Sequence, residues 1–127
     1  MKKTKKPKNE IKWLKKTESH NYPAAHSYLS LIYPEAIAAD LVKKLKAAPI
    51  SHFKAKDIFR ASKLSLLGVS NMHVERDRKK IKKGIALSPI LLVRDTADGK
   101  VVIADGYHRM CGVYAFHEDA VMPCKIV

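Results

Sequence analysis

The sequence predicts an α+β fold in which N-terminal helices precede a small sheet with the order β-β-loop-α-β. Apolar residues recur every three or four positions through the first two thirds of the chain, as they do along one face of a helix. The last third instead holds short aliphatic runs separated by turn residues, a pattern typical of strands. The length, 127 residues, fits one domain.

Two helices are predicted before residue 50. The first covers residues 23–32, and its apolar face consists of Ala25, Tyr28, Leu29 and Ile32. The second follows Pro34 and ends at Pro49, and its apolar seam consists of Ile37, Leu41 and Leu45. Each proline lies where a missing backbone donor does little harm, at a helix start or just past a helix end.

Two more helices are predicted between residues 54 and 84. The third covers residues 54–62 and turns Ile58 and Phe59 inward. The fourth begins after Asn71, which is a favourable N-cap residue, and runs to Lys83. Gly84 supplies the left-handed conformation that ends a helix.

The last third predicts three strands and one helix. Aliphatic runs at 90–93 and 101–104 are expected to pair as a hairpin, because residues 95–99 have the composition of a turn. A helix is expected to begin near Tyr107 or His108, and a closing strand covers residues 121–127.

Positive charge is concentrated at the N-terminus. The chain has 25 Lys and Arg against 12 Asp and Glu, a net charge of +13. Residues 1–16 contain eight lysines and one glutamate, a net charge of +7. We predict a disordered basic tail over 1–16 and a single domain over 17–127. The tail is interpreted either as a solubilising arm or as an attraction to nucleic acid and other polyanions.

Several protein classes are excluded by composition. No run approaches the roughly 18 apolar residues of a membrane span, and no apolar region follows the first lysines as in a signal peptide. Two cysteines, Cys111 and Cys124, are too few for a disulfide scaffold and indicate a reducing compartment. The histidines and cysteines lack metal-site spacing. We therefore expect a cytoplasmic protein without a membrane partner or a resident metal.

The loop Asp105–Arg109, with the sequence DGYHR, carries the most chemical information. A predicted strand leads to Gly106 and a helix follows, so the first N–H groups of that helix form an anion site. Gly106 lets a phosphate approach the backbone, and Arg109 adds a planar donor fork. Asp105 would hold a metal ion, orient a hydroxyl nucleophile or cap the helix.

Residues 87–127 resemble the ParB/sulfiredoxin superfamily. The resemblance rests on Ser88-Pro89-Ile90-Leu91-Leu92-Val93, on Gly106-Tyr107-His108-Arg109, and on Val121-Met122-Pro123-Cys124-Lys125-Ile126-Val127. In that superfamily the Gly-x-x-Arg loop binds nucleotide phosphates. The resemblance therefore implies that Gly106, Tyr107, His108 and Arg109 bind a nucleotide, with ATP, ADP or CTP and Mg²⁺ as the candidates.

Departures from each branch of the superfamily narrow the expected activity. Tyr107 stands where sulfiredoxin has its catalytic cysteine, so we expect no sulfinic-acid reduction and interpret Cys111 as a core thiol. Partition ParB proteins continue into further domains, so a CTP-gated DNA clamp is not expected. The Asp-Gly-x-x-Arg loop is most similar to a branch that includes the archaeal free-serine kinase. That likeness makes Asp105 and His108 the candidate catalytic residues, although His108 falls one position later than the histidine of that branch.

The fourth predicted helix is strongly basic. Its charges wrap most of the helix and leave Val74, Ile81 and the flank of Asp77 for packing. The charged face is interpreted either as solvated or as a contact surface for phosphates. The candidate nucleic-acid contacts are Arg76, Arg78, Lys79, Lys82 and Lys83. No aromatic residue interleaves with them, so stacking on single-stranded bases is not expected.

Two functions follow from these patterns. The first is a nucleotide-binding domain with phosphoryl-transfer or nucleotide-hydrolysing activity at the DGYHR loop. The second is a non-enzymatic nucleic-acid-binding or adaptor module that uses the basic tail and the helix at 76–83. Enzymatic activity and oligomeric state are left open by the sequence.

Overall fold

The computed structural model describes residues 10–65 and 71–127 and shows an α+β fold. Its elements are α1 (Asn21–Leu29), α2 (Glu35–Ala47), β1 (Ser51–Lys54), α3 (Ala55–Ser62), α4 (Met72–Lys82), β2 (Ile90–Asp95), β3 (Lys100–Asp105), α5 (Tyr107–Phe116) and β4 (Val121–Ile126). No helix within these two ranges is long and apolar enough to cross a membrane.

The four strands form one mixed sheet in the order β1-β4-β2-β3. The predicted hairpin is confirmed, because β2 and β3 pair antiparallel up to Asp95 and Lys100. The closing strand β4 lies parallel to β2 at the centre of the sheet. Its other neighbour is β1, an antiparallel edge strand that the sequence analysis missed. Four residues with two exposed polar positions give too short an alternation to be recognised as a strand.

Helices cover both faces of the sheet. Leu91 and Val93 of β2 pack in one apolar cluster with residues of α1 and α2. Ile90 and Leu92 point to the opposite face, where they pack with residues of α3, α4 and α5. This placement explains why β2 begins with four consecutive buried residues, since a strand covered on both sides needs apolar residues at every position.

The local signals of α4 are confirmed. The Asn71 side-chain oxygen accepts hydrogen bonds from the N–H groups of His73 and Val74, at 2.9 and 3.3 Å. Gly84 follows the helix with a φ of +73°. The buried residues of α4 are Val74, Asp77 and Ile81, the three positions that the charge pattern left for packing.

The buried faces of α1 and α2 differ from the predicted ones. In α2 the buried residues are Ala38, Val42 and Leu45, whereas Ile37 is 48% exposed. In the first helix Ala25 and Leu29 are buried as predicted, but Tyr28 and Ile32 are exposed. The two candidate faces of α2 share Leu45 and are one residue apart, so contact with the sheet decides between them.

Part of the predicted basic tail is ordered. The N–H of Leu14 donates to the carbonyl of Leu87 at 2.8 Å, and the N–H of Leu87 donates to the carbonyl of Lys12 at 2.9 Å. Trp13 lies between them, forms a parallel bridge with Leu87 and packs against the core. Ordered structure therefore begins before residue 17. Residues 1–9 of the predicted tail lie outside the described part of the chain.

Candidate functional site

The DGYHR loop joins the end of β3 to the start of α5. Gly106 is the N-cap residue of α5 and has a φ of +108°, in the region that favours glycine. Among the described residues, the Asp105 carboxylate accepts from Arg109 and from no N–H group at this helix start. The capping role considered for Asp105 is therefore wrong, and the first N–H groups of α5 keep their capacity to bind an acceptor.

The start of α5 borders a cavity of about 260 Å³, which we call the α5 cavity. It is polar and is shared by the segment before α1, the helix α4, residues 86–88 and the loop. The charged and loop residues that line it are Glu18, His20, Arg76, Asp77, Lys80, Asp105, Gly106, Tyr107, His108 and Arg109. The fold therefore brings every predicted residue of the loop together with one predicted residue of the basic helix.

Asp105 and Arg109 form an ion pair. Nη2 of Arg109 lies 3.0 Å from Oδ2 of Asp105, and both side chains are less than one fifth exposed. The same nitrogen is 3.5 Å from Oδ1 of Asn21, which accepts a 2.6 Å hydrogen bond from the Ser88 hydroxyl. That hydroxyl accepts in turn from the N–H of Glu18. These contacts hold the guanidinium in one position at the edge of the cavity.

One buried donor of Arg109 is unused. Its Nε is buried and has no hydrogen-bond partner among the described residues. A buried donor without an acceptor costs about 1–3 kcal/mol, so most folded proteins avoid leaving one. The guanidinium is thus bound to Asp105 on one side and keeps a free N–H donor on Nε. The first N–H groups of α5 are nearby and also have no acceptor.

Gly106 is required by packing within the fold. A Cβ atom at this position would lie 2.4 Å from Cγ2 and 2.8 Å from Cβ of Ile90. The sequence analysis attributed the need for a glycine to the close approach of a phosphate to the backbone. In the structure this space is bordered by Ile90 of β2, which is fully buried, and by Nη2 of Arg109, which would lie 3.0 Å from such a Cβ.

His108 lines the α5 cavity and contacts two other rings. Its ring centroid is 4.9 Å from that of His73 and 5.6 Å from that of Tyr107. Burial lowers the pKa of His108 below its ordinary value of 6.5. The electrostatic effects of His73 and Arg76 lower the pKa of His108 further, whereas that of Asp77 raises it. His108 is therefore neutral at pH 7, with a ring nitrogen able to accept a proton.

Tyr107 is fixed through its hydroxyl. The phenol donates a hydrogen bond to the backbone carbonyl of Ser65, and burial raises the pKa of the Tyr107 side chain. Its neighbour in the core is Cys111, a buried thiol as the sequence analysis expected. The tyrosine hydroxyl is thus already engaged, and Tyr107 contributes its ring and its backbone N–H to the site.

Asp77 and Lys80 belong to the α5 cavity, and the sequence analysis did not assign either to it. Asp77 is only 5% exposed, and burial raises the pKa of its carboxyl group. The positive charges of Lys80, Arg109 and Arg76 oppose this rise in the pKa of Asp77. The available signal was an acidic residue on the packing face of a predominantly basic helix.

The predicted nucleic-acid contacts on α4 separate into two groups. Arg76 lines the α5 cavity, and its Nη2 lies 3.1 Å from Nδ1 of His73. Arg78 points elsewhere, with its guanidinium 3.6 Å from Glu75. The remaining predicted contacts lie on the exposed side of the helix and are Lys79, Lys82 and Lys83.

Comparisons with protein-family models, with curated proteins and with solved structures found no match. The resemblance to the ParB/sulfiredoxin superfamily therefore stays a prediction that rests on the motifs of residues 87–127. Within residues 10–65 and 71–127, no group of three or more His, Cys, Asp or Glu side chains is arranged to hold a metal ion.

Proposed function

We propose that this protein is a nucleotide-binding domain of the ParB/sulfiredoxin-like type that holds the phosphates of its ligand in the α5 cavity. The observation that carries the proposal is the uncapped start of α5 opening on a cavity where Arg109 has an unused buried donor. A phosphate oxygen supplies the acceptor that both groups lack. The resemblance of the DGYHR loop implies the same ligand class.

The charges of the cavity favour a nucleotide that carries Mg²⁺. Arg76, Lys80 and Arg109 contribute three positive charges, and three carboxylates offset them: Glu18, Asp77 and Asp105. A bare phosphate would meet these carboxylates at close range. Mg²⁺ is usually bound by one or two carboxylates together with substrate phosphates, and Glu18 and Asp105 are the carboxylates available to it. ATP, ADP and CTP are the candidate ligands.

An apolar cavity on the other side of the loop supports a nucleotide over inorganic phosphate. It has a volume of about 320 Å³ and shares the loop residues from Asp105 to His108 with the α5 cavity. Its other walls include Tyr28, Leu64 and Ile103. A ligand with a phosphate and a flat ring would place one part on each side of the loop.

Phosphoryl transfer or nucleotide hydrolysis is the activity proposed for the site. These reactions depend mainly on positioning and on stabilising charge, which the α5 N-terminus and the three basic side chains supply. We assign proton acceptance to the neutral ring of His108. We assign to Asp105 the positioning of Arg109, together with contact to Mg²⁺ when a nucleotide is bound.

The experiment compares Arg76→Ala with Arg78→Ala. Both residues lie on α4, both make one local polar contact, and only Arg76 lines the α5 cavity. ATP, ADP and CTP with Mg²⁺ are titrated by calorimetry. Loss of a hydrogen bond to a charged group costs about 1.5–3 kcal/mol, so Arg76→Ala should weaken binding at least tenfold. Arg78→Ala should bind within twofold of the wild type.

Nucleotide turnover is measured with the same proteins and with His108→Gln. Release of phosphate by the wild type and its loss in His108→Gln, at unchanged affinity, would support the assigned role. Equal nucleotide affinity of the wild type, Arg76→Ala and Arg109→Lys would refute the phosphate site, because a lysine in place of Arg109 keeps the charge but loses the planar fork.

A nucleic-acid-binding or adaptor function is the second candidate, and one surface favours it. The surface consists of the exposed lysines Lys79, Lys82 and Lys83. Lys12 lies beside it, because Cε of Lys12 is 3.5 Å from the point that a Cβ on the next residue, Gly84, would occupy. This function predicts DNA affinity that falls steeply with salt and a salt slope that drops by about 1 for each lysine removed. The α5-cavity variants would leave that slope unchanged.

A further inference from the structure

We propose a second anion-binding site, independent of the α5 cavity, at the junction of the segment before α1, the end of α2 and strand β4. A cavity of about 470 Å³ lies there, which we call the lysine cavity. Its polar and aromatic lining consists of Lys15, Lys16, Thr17, Tyr22, Lys46 and Lys125. The proposed ligand carries a phosphate or oligophosphate group.

Four lysines line the lysine cavity. No acidic residue is among the described residues of its lining, and none of the four lysines forms an ion pair with a described carboxylate. Like charges held together at a protein surface repel each other. An anion in the cavity would convert this repulsion into attraction.

Two of these lysines are held in place by other contacts. Nζ of Lys125 donates a 2.9 Å hydrogen bond to the carbonyl of Lys46, near the end of α2. Nζ of Lys125 and Nζ of Lys46 each lie 5.7 Å from the centre of the Tyr22 ring, within range of a cation–π interaction. These contacts position both ammonium groups before any ligand arrives, which lowers the entropic cost of binding.

Thr17 gives an independent indication of a ligand. The residue lines the lysine cavity and is 8% exposed, and its hydroxyl oxygen is buried without a hydrogen-bond partner among the described residues. A buried hydroxyl without a partner is costly, so it needs a compensating role. A ligand oxygen beside Thr17 would accept from this hydroxyl as well as from the lysines.

The lysine cavity is separate from the proposed nucleotide site. Thr17 and Glu18 are consecutive, yet Thr17 lines the lysine cavity and Glu18 lines the α5 cavity. The two linings share no residue. The α5 cavity balances its positive charges with carboxylates, whereas the lysine cavity does not, so the second site would bind a phosphate without help from Mg²⁺.

The test follows the NMR signals of Tyr22 and Lys125 while tripolyphosphate is added without Mg²⁺. Saturable shifts are expected in the wild type. Thr17→Val and Lys15→Ala should each weaken binding at least fivefold, and Thr17→Val should melt no lower than the wild type because it removes an unsatisfied hydroxyl. The matched control is Lys43→Ala, which removes an exposed lysine of α2 outside the cavity and should bind within twofold of the wild type.

A second titration with a short single-stranded oligonucleotide identifies the source of the phosphate. If tripolyphosphate binds more tightly, the ligand of the lysine cavity is a free phosphorylated molecule. If the oligonucleotide binds more tightly, the ligand is a nucleic-acid backbone. The absence of saturable shifts would overturn the proposal. It would also be overturned if Lys43→Ala weakened binding as much as Lys15→Ala, since general charge attraction would then account for the effect.

Discussion

Replacing Gly106 with alanine tests the way in which the loop is joined to the core. The new Cβ would lie 2.4 Å from Cγ2 of Ile90. Ile90 is fully buried, so its side chain cannot move aside easily. The backbone also has a φ of +108°, which an L-amino acid with a side chain adopts only with strain. Gly106→Ala should therefore destabilise the fold through two separate effects.

The magnitude is the sum of these effects. An overpacked core site costs about 1–3 kcal/mol, and a left-handed backbone at a residue with a side chain costs about 1–2 kcal/mol. The expected loss in the free energy of unfolding is about 2–5 kcal/mol. Gly99 offers a matched control, because its φ is +64° and a Cβ there meets no atom within 4 Å. Gly99→Ala should show the backbone cost alone, about 1–2 kcal/mol.

Urea unfolding followed by circular dichroism measures both variants against the wild type. Gly106→Ala should lose at least about 1 kcal/mol more than Gly99→Ala, the lower end of the overpacking cost. Losses that agree within about 0.5 kcal/mol, the usual scatter of such comparisons, would contradict the packing role of Gly106. Nucleotide affinity of the folded Gly106→Ala protein near the wild-type value would show that the bare Cα serves Ile90 and not the ligand.

Two further predictions concern the charges of the α5 cavity. Asp105→Asn should lower the free energy of unfolding by about 1–3 kcal/mol, less than for a fully buried pair because Asn can still accept from Arg109. The same variant should bind inorganic phosphate more tightly and Mg²⁺–nucleotide more weakly than the wild type. Calorimetric titrations that show weaker phosphate binding and tighter Mg²⁺–nucleotide binding would contradict the assigned role. Burial lowers the pKa of His108, so the unfolded chain takes up a proton first as the pH falls below 6.5 and the folded state loses stability. In urea unfolding, His108→Gln should lose less stability between about pH 7 and pH 5 than the wild type does. An equal loss in both proteins would show that another group causes the pH dependence. Burial raises the pKa of Asp77 above its ordinary value of 3.8, so at this residue the folded state takes up a proton first as the pH falls. Asp77 therefore adds stability as the pH falls toward 3.8, opposite to the effect of His108.

The sequence alone determined the features that depend on neighbouring residues. The N-cap Asn71, the stop at Gly84 and the hairpin turn between Asp95 and Lys100 were all predicted, because each depends on backbone geometry within a few positions. The start of α5 was also predicted to within one residue, since Gly106 marks the break between strand and helix. These elements place the DGYHR loop at the edge of the sheet.

Only the tertiary structure decided which surfaces and charges meet. The choice between Ile37 and Ala38 as the buried position of α2 depends on the face that the sheet covers, and both faces are apolar enough in the sequence. The partner of Asp105 and the space beside Gly106 were also undetermined, because Arg109 and Ile90 come close only after β2, β3 and α5 have packed. Helix periodicity and turn chemistry act over a few residues, whereas the environment of a buried side chain is set by elements that are distant along the chain. The convergence of Thr17, Lys46 and Lys125 on one cavity is therefore a property of the packed molecule.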